Sequence, residues 1–138
     1  MARSLERLAY RSRATVSVDS LLLIADVLAV SQRNNRRDGV SGALTYSDGV
    51  FFQVVEGYPE DLDRLLRRLS EDPRHSAITI VHRAPVAGRL FGEWSMTAPR
   101  IAPDLAPAMK KAVEESDIAP SLAIETLRRL ATASPQAD

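Results

Sequence analysis

Val40-Ser41-Gly42-Ala43-Leu44-Thr45-Tyr46-Ser47-Asp48-Gly49-Val50-Phe51-Phe52-Gln53-Val54-Val55-Glu56-Gly57 is the stretch that decides the fold. Two runs rich in β-branched and aromatic residues, Val40 to Tyr46 and Val50 to Glu56, flank the turn residues Ser47-Asp48-Gly49. That is the pattern of a β-hairpin. The second run is apolar at consecutive positions, so both faces of its strand are expected to be covered. Gln53 stands in its middle. A primary amide there is costly unless something hydrogen-bonds to it. It has donors at one end and acceptors at the other, so rotation lets it exchange partners. That suits the reading of a polar heteroaromatic ligand. The plainer reading is that Gln53 faces solvent or pairs with a Tyr or Ser of a neighbouring strand.

Working outward, Leu5 to Ser12 reads as a first strand. Asp19 or Ser20 can cap a helix whose stripe is Leu21, Ile24, Val27 and Leu28, running to about Ser31. It is expected to stop in the polar cluster Gln32 to Gly39. Past the hairpin, Pro59 begins a second helix with Glu60 and Asp61 in its first turn. Leu62, Leu65, Leu66 and Leu69 continue it, and Asp72-Pro73 ends it. Ala77 to Val81 is β-rich. Arg89 to Met96 reads as a last strand, reached through the turn from Pro85 to Gly88. The order β-α-β-β-α-β-β predicts an α+β, ferredoxin-like sheet with two helices on one face. From Pro99 the composition changes, with Pro103, Pro107 and Pro120 punctuating two further helices, Ala108 to Ser116 and Ser121 to Ala131. The partition is a domain over 1–98, a helical extension over 99–133 and a disordered tail over 134–138.

Composition bounds the function. A chain of 138 residues, 45% hydrophobic and 26% charged, is one globular domain with a core. Eighteen basic and eighteen acidic side chains cancel, so no global footprint for nucleic acid or an anionic membrane follows. Without cysteine there are no disulfides, thiolate metal sites, cysteine nucleophiles or flavin–cysteine adducts. Arg3, Glu6 and Arg7 interrupt any signal peptide, and no apolar run reaches membrane-spanning length. A cytoplasmic protein is the simplest expectation.

Four constellations could carry chemistry. Tyr10 and Ser12 on the first strand fall beside Gln53 on the third, because this topology puts those strands side by side. The phenol and amide form a short relay, or else a core Gln simply satisfies the Tyr hydroxyl. Asn34-Asn35 could grip the carbonyl and N–H edges of a heterocycle, or terminate the helix. Asp72, Arg74 and His75, with Arg33, Arg36, Arg37 and Arg68, suit a phosphate-bearing ligand or a solvated basic face. Trp94 and Met96 share one face of the last strand, lining a pocket or filling core. There is no dinucleotide fingerprint, phosphate loop, metal-ligand spacing or Ser/His/Asp arrangement.

In order and spacing these pieces resemble the BLUF family of blue-light sensors using flavin, from about Leu5 to Met96. The resemblance rests on Tyr10-Arg11-Ser12, Ser31 with Asn34-Asn35, Val40 to Leu44, Phe51 to Gly57, Asp72-Pro73-Arg74-His75 and Phe91 to Met96. It implies a flavin, usually FAD, held between the two helices. Tyr10 is then the photo-oxidised donor and Gln53 the bridging amide. Asn35 binds the flavin carbonyl edge, and Asn34 contacts the flavin or the dinucleotide chain. His75 lies near the pyrimidine ring, with Asp72, Arg68 and Arg74 at the polar edge and phosphates. Ile24, Val27 and Leu69 flank the ring faces. Trp94 and Met96 relay the signal. The resemblance further implies a stand-alone sensor, not an enzyme. It signals to a downstream protein or through its own assembly as a homo-oligomer, a dimer or larger. The apolar stripe on Ser121 to Ala131 is expected to pack on the chain's own sheet, with pairing to a second subunit as the alternative. Two other readings share the fold. An acylphosphatase-like hydrolase needs a phosphate-cradling loop, and Arg13-Ala14-Thr15-Val16-Ser17 lacks the glycines for one. A colourless module binding a non-flavin metabolite is the third.

Overall fold

The computed structural model describes residues 4–15, 21–47, 49–73, 75–92 and 104–133, and only the backbone of residues 21–28, 47, 75, 132 and 133. The chain runs β1 (Glu6–Ala14), α1 (Leu21–Asp38), β2 (Ser41–Ser47), β3 (Val50–Gly57), α2 (Pro59–Glu71), β4 (His75–Pro85), α3 (Ala106–Glu114) and α4 (Pro120–Ala133). The sheet order is β2-β3-β1-β4, with every pairing antiparallel. β1 and β2 therefore run parallel with β3 between them, the split β-α-β arrangement expected.

The hairpin registers Ser47 against Val50 across Asp48-Gly49, and Gly49 supplies φ +80. At Gly42 a Cβ would lie 2.3 Å from the Val54 carbonyl oxygen, so β2 can approach β3 there only without a side chain. β3 is buried on both faces, as its unbroken apolar run requires. Its front face, with Phe51 and Val55, joins Leu8, Tyr10 and Leu44 against Leu62, Leu65 and Leu69 of α2. Its back face, with Phe52 and Val54, joins Ala9 and Ala43 against Met109, Ala112 and Val113 of α3 and Ala123, Ile124, Leu127 and Ala131 of α4. The C-terminal stripe thus packs on the chain's own sheet through Ile124, Leu127 and Leu130, the first of its two expected fates, while Leu122 stays exposed.

Three elements differ from their expected bounds: β4, the segment that follows it, and α3, which spans Ala106–Glu114 where Ala108 to Ser116 was expected. α1 ends at Asp38, inside the expected polar cluster, with Asn34 and Asn35 within its last turns. Gly39 ends it at φ +68, and the Val40 N–H reaches back to the Asn35 carbonyl at 2.8 Å, a Schellman closure. β4 is longer than Ala77 to Val81 because it pairs along all of β1, from Glu6 opposite Pro85 to Ala14 opposite His75. The last strand does not begin at Arg89. Residues 89–92 are irregular, because the N–H groups of Leu90 and Phe91 go to the Glu56 carboxylate and Gly92 turns the chain at φ +58. Trp94 and Met96, Asp19 and Ser20, Arg74 and the tail over 134–138 lie outside the described residues.

Candidate functional site

Tyr10 and Gln53 are direct register partners across β1 and β3. Alternation points both toward the α2 side, where they are 1% and 2% exposed. The Tyr10 hydroxyl donates to Gln53 Oε1. The other end of that amide carries two N–H donors. Ser12 follows on the same face of β1 and is buried. Burial, and secondarily the negative charge of Asp72, hold the Tyr10 phenol well above the ordinary range, so it stays protonated. Asp72 caps the end of α2, its N–H bonded to the Leu69 carbonyl, and Leu69 packs in the same cluster as Tyr10.

β4 is irregular where it meets this pair. Its register with β1 shifts between Ala9 and Tyr10 and again between Arg11 and Arg13. Ala77 there holds φ 50, a left-handed conformation rarely adopted by a residue with a side chain. Bulges and backbone strain of this kind collect beside functional sites.

Asn35 is buried on the last turns of α1 and Asn34 is half-buried. Arg68 is committed to Asp38: its Nη1 lies 3.2 Å from Asp38 Oδ2, which joins the end of α1 to α2. Arg64 and Arg37 reach the same carboxylate, at 3.5 and 3.0 Å. His75 opens β4, and Ile24 and Val27 lie in the first half of α1; their side chains are outside the described residues. The structure therefore gathers Tyr10, Gln53, Leu69 and Asp72, and gives Arg68 a structural partner. Among the described residues no group of acidic or histidine side chains could hold a metal ion.

Two polar residues escaped the reading of the sequence as site residues. Glu56 is fully buried on the back face of β3, with Arg7 Nε at 2.8 Å. Arg11, the neighbour of Tyr10, faces the back layer and donates to Ser116 Oγ at 3.0 Å. A signal for Glu56 was present, since a carboxylate in a strand covered on both faces demands a cation, and Arg7 stands directly opposite in register.

The chemistry of the site is that of a protonated phenol joined to a rotatable amide in a water-excluded layer. Known proteins are similar to this chain in sequence and in fold. The sequence model of the family described as BLUF, sensors of blue-light using FAD, matches residues 5–97. The chain is 42% identical over 96 residues to photoactivated adenylate cyclase subunit beta of Euglena longa, covering 69% of this chain and 11% of that protein. It is 43% identical over 93 residues to subunit alpha of Euglena gracilis, covering 67% and 9%. The chain thus spans about a tenth of the length of these curated relatives. Among solved structures, the dark state of BlrB, a BLUF protein, superposes with a TM-score of 0.77 at 30% identity, over 96% of this chain and 98% of that one. A bacterial light-regulated adenylyl cyclase superposes at 0.72 with 26% identity, over 91% of this chain and 40% of the other.

Proposed function

Because this chain belongs to the BLUF family, sensors of blue-light using FAD, we propose that it is a blue-light receptor whose switch is the Tyr10–Gln53 pair. The observation that carries this reading is the buried hydrogen bond from the Tyr10 hydroxyl to Gln53 Oε1. The residues present suit a flavin: a buried amide with a donor end, a buried carboxamide at Asn35 and a neutral phenol. When bound, the flavin supplies blue-light absorption and accepts one electron. Tyr10 is the donor of that electron. Its proton leaves with the electron, because oxidation makes the phenol strongly acidic, and Gln53 Oε1 is the base in place to receive it. Protonation of its carbonyl oxygen would remove that acceptor. Loss of an N–H proton from the other end to the ring that took up the electron would complete an imidic acid whose donor and acceptor ends are exchanged, free to rotate. Return of the electron and proton to Tyr10 leaves the amide rearranged.

Asn35 and Asn34 hold the heterocycle's carbonyl edge and the adjoining chain. His75, Asp72 and Arg74 hold its polar edge, with Arg68 at the phosphates, and Ile24, Val27 and Leu69 flank its ring faces. FAD is the flavin named by the family description. Trp94 and Met96 carry the change onward to a partner protein. No described helix is long and apolar enough to cross a membrane. The proposed place of action is the cytoplasm. Since the α4 stripe is used internally, a homo-oligomer would form through other surfaces, with Ile118, 84% exposed, as one contact.

The test is Gln53→Leu in the flavin-loaded protein. The expected outcome is flavin retained and the light-induced red shift lost. A complete red-shifted photocycle in that variant contradicts the assignment.

A further inference from the structure

Glu56 faces away from the Tyr10–Gln53 pair, yet its carboxylate accepts four hydrogen bonds. It lies three residues beyond Gln53 on β3, and alternation turns it to the opposite, back face. It is 0% exposed. Its Oε2 accepts from Arg7 Nε and from the Leu90 N–H, both at 2.8 Å. Its Oε1 accepts from the Phe91 N–H at 3.0 Å and from Ser41 Oγ at 3.4 Å. The same loop is gripped from its own side. Arg89 donates to Ser41 Oγ at 2.8 Å, to the Glu56 carbonyl at 3.0 Å and to the Gly39 carbonyl at 2.8 Å, and Arg7 Nη2 reaches the Gly88 carbonyl at 3.2 Å. Residues 88–91 are thus fastened to β1, β2 and β3 together. Phe91, 1% exposed, then enters the apolar layer with Phe52, Met109, Val113, Ile124 and Leu127.

A buried ion pair adds little net stability, because desolvation offsets most of the attraction. We infer that Glu56 is a positioning residue that couples β3 to the C-terminal helix pair. Its carboxylate holds the start of the segment beyond residue 88, so that a rearrangement at Gln53 passes through β3 and this grip to Phe91, α3 and α4. The inference rests on the reading of Tyr10 and Gln53 as the flavin switch.

Hydrogen exchange on the full flavin-loaded chain, in darkness and under blue light, tests it. In the unaltered protein the Leu90 and Phe91 amides are expected to be protected in the dark and to lose protection in light, together with residues 106–133. In Glu56→Gln the red shift is expected to persist, since the side chain faces away from Gln53. The light-dependent exchange difference over 106–133 falls roughly fivefold or more. Two results overturn the inference. One is a folded Glu56→Gln protein with the full exchange difference. The other is an unaltered protein whose Leu90 and Phe91 amides exchange alike in both conditions. This second result decides the matter even where Glu56→Gln does not fold. Absence of any red shift in the unaltered protein is a separate outcome: it contradicts the switch reading, and the coupling falls with it.

Discussion

Tyr10 is kept neutral by two effects that act in one direction. Burial penalises the phenolate, and the Asp72 carboxylate repels it. The consequence for stability has a definite sign. An unfolded tyrosine titrates near about pH 10, whereas folded Tyr10 keeps its proton beyond that. Above this pH the unfolded state binds fewer protons than the folded one, so stability falls as pH rises. Tyr10→Phe removes one such contribution. Urea midpoints measured from neutral to alkaline pH are expected to decline less steeply in the variant, and equal slopes contradict the assignment. The pairing of Tyr10 with Gln53 was legible in the sequence, because the hairpin fixes β3 and the topology puts β1 beside it. The full role of Glu56 was not. Two of its donors are backbone N–H groups at Leu90 and Phe91, 34 and 35 positions away, and backbone donors have no side-chain pattern to read.

The helices α1 and α2 are joined at the end of α1 by Asp38. Its side chain is 5% exposed and shares Arg37, Arg64 and Arg68. The hydrogen bond from Arg37 holds its carboxyl below the ordinary range, with Arg68 adding to the effect against the opposing pull of burial. The stability this gives is present above about pH 4 and is lost as pH falls through the lowered folded value. Asp38→Asn is expected to lose about 1–2 kcal/mol near neutral pH, the scale of a charge-assisted hydrogen bond. The difference should shrink in acid. Urea unfolding at the two pH values checks both, and a constant difference contradicts the account. The start, stop and apolar stripe were legible for α2, and the stripe for α4; α3 was legible as a helix but begins and ends two residues earlier than its prolines and polar residues suggested. The end of α1 was less so, since two asparagines and a glycine compete as terminators. The glycine prevails because its left-handed φ lets the Val40 N–H close on Asn35. The pairing of Arg68 with Asp38 was not legible, because the two stand 30 positions apart.

At the scale of the whole molecule the sheet is a partition. Its front side carries the phenol–amide pair under α2, and its back carries an apolar layer under α3 and α4. β3 serves both, with Gln53 on one side and Val54 and Glu56 on the other. The alternation that buries every residue of Phe51 to Gly57 is what places switch and coupling on one strand. The layer order was legible from the order of strands and helices, the unbroken apolar run of β3 and the C-terminal stripe. The place where the chain leaves the sheet after β4 was not, because buried polar bonds override local strand propensity there. The most direct measurement is the visible absorption spectrum of the intact protein supplied with FAD, taken in darkness and after blue light. Oxidised-flavin bands that shift slightly to the red and relax back in the dark are the predicted result. A protein that takes up no flavin, or whose flavin bands do not move, contradicts the account.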